Sequence, residues 1–341
     1  MELVKLNNPV MFVLNNKEPN KLAHFLIKRH WLANGEIITS MSKPGEGNMN
    51  YVLRITTSST SFILKQSRAY VEKYPQIAAP EKRVVTEAKF YTKISENPSI
   101  QKRMPKILGL DIANNIMLLE DLGMANDYTT LYALDKKISD DDIHVLIIYL
   151  NDLHHGFKKS KVDDELSNLE LRKLNYEHIF HYPFLECNGF DLNMVQAGLQ
   201  ELAQPYKRDT FLKQKIEHLG ELYMSKGAYL LHGDYYPGSW LSTENGIKII
   251  DPEFCFYGQR EFDLGVLIAH LILTKHEQSI IDKAIENYKT FRELNMDMLN
   301  GFIGVEIMRR LIGLAQLPLQ MALIEKEKLM GLAYHLITQK R

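Results

Sequence analysis

Residues 230–254 read LLHGDYYPGSWLSTENGIKIIDPEF, and in this stretch two short apolar runs each lead into acidic residues. The first run leads to Asp234 and the second to Asp251, with Glu253 close behind it. The Asn-Gly dipeptide at 245–246 is a strong signal for a β-hairpin turn, because these residues tolerate the backbone conformation that such turns require. We therefore expect two strand ends that hold Asp234 near Asp251.

Acids that lie close together repel one another, and a bound cation is one way to keep them ionised. A hard cation such as Mg²⁺ takes oxygen ligands from one or two carboxylates and from substrate phosphates, which suits Asp251 and Glu253. Asp234 then remains as the base that accepts the proton of a phosphoryl-acceptor hydroxyl. The alternative is a hairpin with solvated acids at its ends, since turns are commonly rich in Asp.

The segments HGDYYPGSWL at 232–241 and IIDPEFCFYGQREFDLG at 249–265 resemble the catalytic and metal-binding segments of the aminoglycoside phosphotransferase and choline kinase superfamily. Within that superfamily the chain looks most like the methylthioribose kinases. The resemblance implies an α+β, protein-kinase-like fold with two lobes. A small β-rich N-terminal lobe at 1–121 ends in a hinge, and a larger helical lobe at 122–341 carries catalysis and substrate binding.

The same resemblance assigns roles to individual residues of these segments. It implies that Asp234 is the catalytic base and that Asp251 and Glu253 bind the metal. Ser239 stands where many superfamily members have a metal-binding Asn, a departure that methylthioribose kinases share, and we group it with the metal ligands. Asp263 resembles the aspartate that braces the catalytic loop, with a simple helix cap as the alternative.

A glycine-containing loop, GEGNMN at 45–50, separates the first two of three apolar runs in the N-terminal region. These runs predict strands at residues 35–41, 51–55 and 62–65. A glycine loop between antiparallel strands lets the backbone approach phosphates, and an ordinary hairpin turn is the alternative. A similar GxGNxN occurs in methylthioribose kinases, which implies that Gly45, Gly47 and Asn48 contact the nucleotide.

Lys65 ends the third run, where a cation is unusual unless it has a partner. The resemblance implies that it holds the nucleotide phosphates and pairs with a helix glutamate. Pro80 suits the first turn of a helix through residues 81–94, and Glu87 lies in the middle of it. We assign the pairing to Glu87, with Glu81 as the rival. An edge-strand lysine and solvated helix acids are the alternatives.

Two further runs, at 107–110 and 116–119, predict strands that complete the small lobe. The second run leads directly into Glu120, Asp121 and Leu122. By resemblance, the backbone of these three residues is the hinge that binds the adenine edge of ATP.

Arg309 and Arg310 lie in MRRLIGLA at 308–315, where apolar residues surround them. This segment resembles the twin-arginine segment of methylthioribose kinases, in which an arginine reaches the substrate. The planar fork of arginine suits a polyhydroxylated acceptor. Adjacent helical residues point about 100° apart, so we expect one arginine to face the acceptor and favour Arg309 over Arg310. Two surface arginines are the alternative.

The chain has 341 residues, of which 45% are hydrophobic, and a formal net charge of −1. This balance gives no electrostatic reason to expect a nucleic-acid or membrane partner. The two cysteines are too few for a disulfide framework, and no apolar run approaches the roughly 20 residues of a membrane span. With no apolar secretory signal at the N-terminus, we expect a cytoplasmic protein, and the sequence leaves a homodimer open.

Together these features predict an ATP- and Mg²⁺-dependent kinase that phosphorylates a hydroxyl of a small polyhydroxylated molecule. The resemblance implies 5-methylthioribose as the acceptor, phosphorylated at the anomeric oxygen. Two alternatives remain: a kinase of the same fold for an aminoglycoside, an amino alcohol or another sugar, and a pseudokinase-like nucleotide-binding module. Turnover of nucleotide distinguishes the module from an enzyme.

Overall fold

The arrangement of the chain follows from a computed structural model that describes residues 11–45, 47, 49–133, 136–159, 166–289 and 293–339. The chain divides into two units. The smaller unit contains Met1–Lys93 and Pro105–Gly123, and the larger contains Ile94–Met104 and Met124–Arg341.

The segment Ile94–Met104 belongs to the larger unit, whereas the sequence predicted a smaller lobe that runs through to residue 121. Its hydrogen bonds explain the difference. The Ser99 hydroxyl donates to a carboxylate oxygen of Asp152 at 2.8 Å, and the Ile249 N–H donates to the Arg103 carbonyl at 2.7 Å. These partners lie far along the chain, so the sequence near residue 94 carried no sign of them.

The described residues of the smaller unit form a five-stranded antiparallel sheet, a two-stranded sheet and two helices. Its elements are α1 (Pro19–Lys28), β1 (Ile38–Ser42), β2 (Tyr51–Thr57), β3 (Ser61–Gln66), β4 (Tyr70–Val71), β5 (Tyr74–Ala78), α2 (Arg83–Ile94), β6 (Ile107–Asp111) and β7 (Ile116–Glu120). Five strands form one sheet in the order β1-β2-β3-β7-β6, and β4 pairs with β5. The predicted small β-rich lobe is confirmed.

Alternation along the central strands determines which residues of the smaller unit form its core. Leu53 and Ile55 of β2, with Phe62 and Leu64 of β3, are buried in one cluster with α1. Successive strand residues point to opposite faces of a sheet. Lys65 therefore points away from the α1 face.

The larger unit is mainly helical. Its helices are α3 (Pro98–Gln101), α4 (Asp140–Gly156), α5 (Leu169–Tyr176), α6 (Leu199–Arg208), α7 (Thr210–Met224), α8 (Glu261–Leu273), α9 (Gln278–Lys289), α10 (Met296–Ile312) and α11 (Leu323–Thr338). Its strands are β8 (Asn126–Asp127), β9 (Tyr229–Leu231), β10 (Trp240–Thr243), β11 (Gly246–Ile249) and β12 (Phe256–Gly258). The predicted helical lobe is confirmed.

Two small sheets bring the predicted acids together in this unit. The Asn-Gly turn closes a β10–β11 hairpin in which Thr243 pairs with Gly246. The strand before Asp234 is not part of that hairpin, because β9 pairs with β12, with Leu231 opposite Phe256. Asp234 and Asp251 thus follow strands of different sheets.

Helices α8, α10 and α11 approach one another closely, and glycines make this approach possible. A Cβ on Gly265 would lie 2.9 Å from the Cβ of Phe302, and one on Gly304 would lie 2.7 Å from the Ala333 carbonyl oxygen. Almost every residue of α8 and most of α10 are buried. None of the helices in the described part of the chain is both long and apolar enough to span a membrane.

Arg83, the first residue of α2, ties several segments of the smaller unit together. Its buried guanidinium donates to the carbonyls of Arg68 and Pro80, each at 2.8 Å, and to the Met49 carbonyl at 2.7 Å. It also donates to the Asn50 side chain at 3.0 Å. The end of the glycine-containing loop is therefore fixed to the start of the helix that carries Glu87.

We expect Arg83→Met to lower the free energy of unfolding by about 2–4 kcal/mol, because buried carbonyls lose a charged donor. Urea denaturation measures this change. The matched control is Arg208→Met, since the Arg208 side chain is 65% exposed and pairs with Glu186, which is also exposed. The control should change stability by less than about 1 kcal/mol. An equal effect of the two substitutions would contradict this role of Arg83.

Candidate active site

The loop after β9 is held by the carboxylate of Asp263, which is buried near the start of α8. The N–H of His232 donates to one carboxylate oxygen at 2.7 Å, and the N–H of Gly233 donates to the other at 2.9 Å. The Nε2 of His154 lies 3.2 Å from the same carboxylate. Asp263 therefore holds the loop that contains Asp234, and it does not cap its own helix.

Gly233 allows this loop to approach the turn that contains Glu253. Its φ is +86°, and an added Cβ would overlap the backbone carbonyl oxygen of Phe254. A positive φ favours glycine, and the overlap excludes any side chain. The loop thus passes directly against the turn after Asp251.

His232 makes a second connection between the two acidic segments. Its Nδ1 lies 3.3 Å from the N–H of Asp234, and its Nε2 lies 3.0 Å from the Ile250 carbonyl oxygen. Because an N–H faces Nδ1 and a carbonyl faces Nε2, the proton lies on Nε2. The ring therefore joins the backbone of Asp234 to the residue that precedes Asp251.

Asp234 has a carboxyl group with an unusual balance of charges around it. Its side chain retains 26% exposure, and its Oδ1 lies 4.0 Å from an Nη2 of Arg309 and 3.8 Å from an Nη2 of Arg310. Burial raises the pKa of Asp234 to about 6, with Glu306 and Asp251 adding to the rise and the two arginines opposing it. The group is ionised at neutral pH but titrates close to it.

Both arginines lie within 4.0 Å of Asp234, although adjacent helical positions point about 100° apart. Glu306 provides the reason. It lies one helical turn before the arginines, and its Oε2 accepts from Nε of Arg309 while its Oε1 accepts from Nε of Arg310 at 2.8 Å. Residues three and four apart are neighbours on a helix surface. One carboxylate thus draws both long side chains to the same side.

Glu306 is in turn connected to His270 and Tyr132. The sequence predicted a site role for none of these three residues. The Nε2 of His270 lies 3.0 Å from Oε1 of Glu306, and its Nδ1 lies 2.8 Å from the Tyr132 hydroxyl. The available sequence signal for this network was an acid that lies three and four residues before two arginines in an apolar helix. That spacing identifies Glu306, but no local pattern points to the two residues behind it.

The predicted metal ligands Asp251, Glu253 and Ser239 follow Asp234 closely in the chain. Asp251 is partly exposed and has a left-handed backbone at φ 67°, while Glu253 is buried in the following turn. The Ser239 hydroxyl donates to the Asp234 carbonyl at 2.8 Å. Within the described residues no three His, Cys, Asp or Glu side chains form a metal-binding group. Two carboxylates fit Mg²⁺, which usually completes its shell with phosphates and waters.

In the smaller unit, the structure pairs Lys65 with Glu87. Lys65 Nζ lies 2.6 Å from a Glu87 carboxylate oxygen, and both side chains are buried. The backbone carbonyl of Glu81, the rival residue, accepts from Ser67. A buried lysine that pairs directly with a carboxylate is held in a defined position.

The glycine loop is described only in part. Gly45 and Gly47 are exposed, and neither has a positive φ. A Cβ on Gly45 would meet no atom within 4 Å, so its small size is not required by neighbouring protein atoms. Asn48 lies outside the described residues.

The predicted hinge begins at Glu120, the last residue of β7, and continues through Asp121 and Leu122. A Glu120 carboxylate oxygen accepts from the N–H of Lys106 at 3.0 Å. Asp121 lies 3.0 Å from Nε of Arg54. Leu122 is partly buried. The backbone of Glu120 is also engaged, because its N–H donates to the Lys106 carbonyl at 2.9 Å.

These features define a small-molecule phosphotransferase with a two-lobed, protein-kinase-like fold. The chain is similar to the solved choline kinase LicA from Streptococcus pneumoniae, with a TM-score of 0.54 and 11% identity over 94% of this chain and 99% of that one. A microcompartment-associated aminopropanol kinase gives a TM-score of 0.51 and 16% identity over 93% of this chain and 95% of that one.

The chain belongs to the APH phosphotransferase enzyme family, whose model matches residues 40–294. Among curated relatives, a methylthioribose kinase from Exiguobacterium sibiricum is 27% identical over 318 residues, which cover 80% of this chain and 79% of the relative. A methylthioribose kinase from Bacillus pumilus is 26% identical over 317 residues, with 80% and 78% covered. The protein is therefore an ATP-dependent kinase that phosphorylates a hydroxyl of a small molecule.

Gly233→Ala should destabilise the larger unit by more than about 3 kcal/mol, because it combines an unfavourable φ with a steric overlap. Gly246→Ala separates the two effects. Gly246 has a φ of +85°, but an added Cβ would meet nothing within 4 Å. The Gly246→Ala variant should therefore lose only about 1–2 kcal/mol of unfolding free energy. Urea unfolding of both variants checks this order. Equal losses would mean that the contact with Phe254 is unimportant.

Proposed function

We propose that the protein is a 5-methylthioribose kinase that transfers the γ-phosphoryl group of ATP to the anomeric oxygen of the sugar. The observation that carries the proposal is the position of Arg309 and Arg310, whose guanidinium groups both approach Asp234. The resemblance in the catalytic segments and the similarity to methylthioribose kinases over 80% of the chain support the same acceptor.

Asp234 accepts the hydroxyl proton of the acceptor or orients that hydroxyl for attack. A base works best when its pKa lies slightly below the operating pH, and the pKa of Asp234 is raised to about 6 by burial, against the effect of the arginines. The guanidinium groups then donate hydrogen bonds to the other oxygens of the sugar. This arrangement directs one hydroxyl towards Asp234.

Asp251 and Glu253 would hold Mg²⁺, with Ser239 beside them as a third oxygen group. When bound, the ion neutralises charge on the transferred phosphoryl group. In the smaller unit, Lys65 would bind nucleotide phosphates from the position that Glu87 gives it, 2.6 Å away. The backbone of Gly45, Gly47 and Asn48 would cover these phosphates, and that of Glu120, Asp121 and Leu122 would bind adenine.

The charges around Asp234 favour a neutral polyol over an amine. An ammonium group that approached Asp234 would meet two guanidinium groups, and like charges in one site oppose binding. The guanidinium carbon of Arg310 also lies 4.9 Å from the centre of the Tyr236 ring. That face of the ring is therefore already occupied by a cation, whereas recognition of a quaternary ammonium needs a free aromatic face.

A panel of acceptors incubated with ATP and Mg²⁺ tests the proposal by the mass of the product. It contains 5-methylthioribose, ribose, choline, an amino alcohol and an aminoglycoside. We expect 5-methylthioribose to gain one phosphoryl group with a kcat/KM at least about tenfold above that of any amine. Efficient phosphorylation of the amine-containing acceptors but not of 5-methylthioribose would refute the proposal. Nucleotide binding without turnover of any acceptor would support a pseudokinase-like module.

The pH dependence of kcat/KM should report the ionisation of Asp234. Because the carboxylate form accepts the proton, activity should fall as the pH drops through about 6. Removing Arg310 takes away a charge that lowers this pKa, so Arg310→Ala should move the acid limb to higher pH. Arg208→Ala, at an exposed position, should leave the limb in place. A limb that stays unchanged in Arg310→Ala would contradict the assignment.

A further inference from the structure

Glu306 is a buried carboxylate that two arginines and a histidine surround. It accepts from Nε of Arg309 and, at 2.8 Å, from Nε of Arg310, while Nε2 of His270 lies 3.0 Å from it. Each arginine thereby uses its Nε on Glu306 and keeps an Nη2 directed at Asp234, at 4.0 and 3.8 Å. The carboxylate thus holds the inner edge of each guanidinium and leaves an outer nitrogen near Asp234.

The residues behind Glu306 fix its own orientation. An ionised carboxylate can only accept hydrogen bonds, so His270 carries its proton on Nε2 and its Nδ1 accepts from the Tyr132 hydroxyl at 2.8 Å. Burial raises the pKa of Glu306, but the two arginines and the bond from His270 outweigh it and hold the pKa well below its usual range. Burial also lowers the pKa of His270 to about 4, so the ring is neutral.

Without Glu306 the two guanidinium groups would have no reason to stay together. Arg309 and Arg310 are adjacent in α10, so their Cα–Cβ bonds point about 100° apart. Two cations near one oxygen atom also repel each other, and Asp234 alone lies at the limit of ion-pair distance from both. Glu306 supplies the second negative charge and bonds directly to each arginine.

We propose that Glu306 is a positioning residue for acceptor binding: it holds both guanidinium groups beside Asp234 and thereby determines how tightly the acceptor binds. The proposal rests on the proposed function, since it takes the arginines to contact the acceptor. Neither the catalytic and metal-binding motifs nor the matched family span, which ends at residue 294, includes Glu306.

Glu306→Gln is the first test, because it keeps the shape of the side chain and removes its charge. In either orientation of the amide, its NH₂ group faces the N–H of one arginine and cannot accept a hydrogen bond from it. We expect the KM of the acceptor to rise by about tenfold or more, since a hydrogen bond to a charged group is lost. The KM of ATP should stay within about twofold. Glu325→Gln, which removes an ion pair with Lys275 in the same unit, should change neither constant.

A double-mutant cycle separates positioning from a structural role. If Glu306 acts through the two arginines, then Glu306→Gln should raise the acceptor KM much less in a background that carries both Arg309→Ala and Arg310→Ala than in the wild type. Equal effects in the two backgrounds would overturn the proposal. A Glu306→Gln variant that melts at a lower temperature but keeps both KM values would also overturn it, because Glu306 would then be structural only.

Glu306→Asp keeps the inference testable if the glutamine variant fails to fold. It retains the charge but shortens the side chain by one methylene, so the acceptor KM should rise several-fold, and an unchanged KM would overturn the proposal. Failure of the proposed function looks different. In that case Arg309→Ala and Arg310→Ala would themselves leave the acceptor constants unchanged, whereas failure of the inference alone leaves the arginine effects intact.

Discussion

The larger unit depends on the carboxylate of Asp263, which is buried and accepts the backbone N–H groups of His232 and Gly233. A buried carboxylate is tolerated only when its oxygens are bonded. These two bonds set the direction in which the chain leaves β9, and the positive φ of Gly233 follows from that direction. Asp234 then emerges beside the arginines of α10. His154 completes the arrangement, because its Nε2 lies 3.2 Å from the same carboxylate.

The charges of the site alternate from the interior outwards. Neutral His270 contacts Glu306, Glu306 contacts the two arginines, and the arginines approach Asp234. Two cations and two carboxylates balance, so the group as a whole is close to neutral. Buried ionic networks of this kind often contribute little to stability compared with apolar residues of similar size. Their presence next to Asp234 is therefore better explained by the proposed binding of an acceptor than by folding.

Local sequence signals predicted the parts of the site that depend on local geometry. The Asn-Gly turn gave the β10–β11 hairpin, and an isolated lysine at the end of an apolar strand led to Lys65, which the structure places against Glu87. The pairing of β9 with β12 escaped prediction, because strands this short carry no periodicity. The direction of Arg309 and Arg310 escaped as well. Their direction depends on the way in which these two long side chains bend towards Glu306. The angle between adjacent helical positions does not describe that bending.

The fold carries no information about the acceptor. The choline and aminopropanol kinases share it at 11% and 16% identity, and one fold can serve many substrates. Under the proposed function, the charges beside Asp234 are what select the acceptor. An amine needs a carboxylate or an aromatic face that is not already engaged by a cation, whereas Asp234 and Tyr236 both lie next to Arg310 here. A neutral sugar has only hydroxyl groups to offer, and guanidinium donors on one side with a carboxylate acceptor on the other bind such groups without excess charge. In this chain the two arginines of α10 therefore favour a neutral sugar as the proposed acceptor.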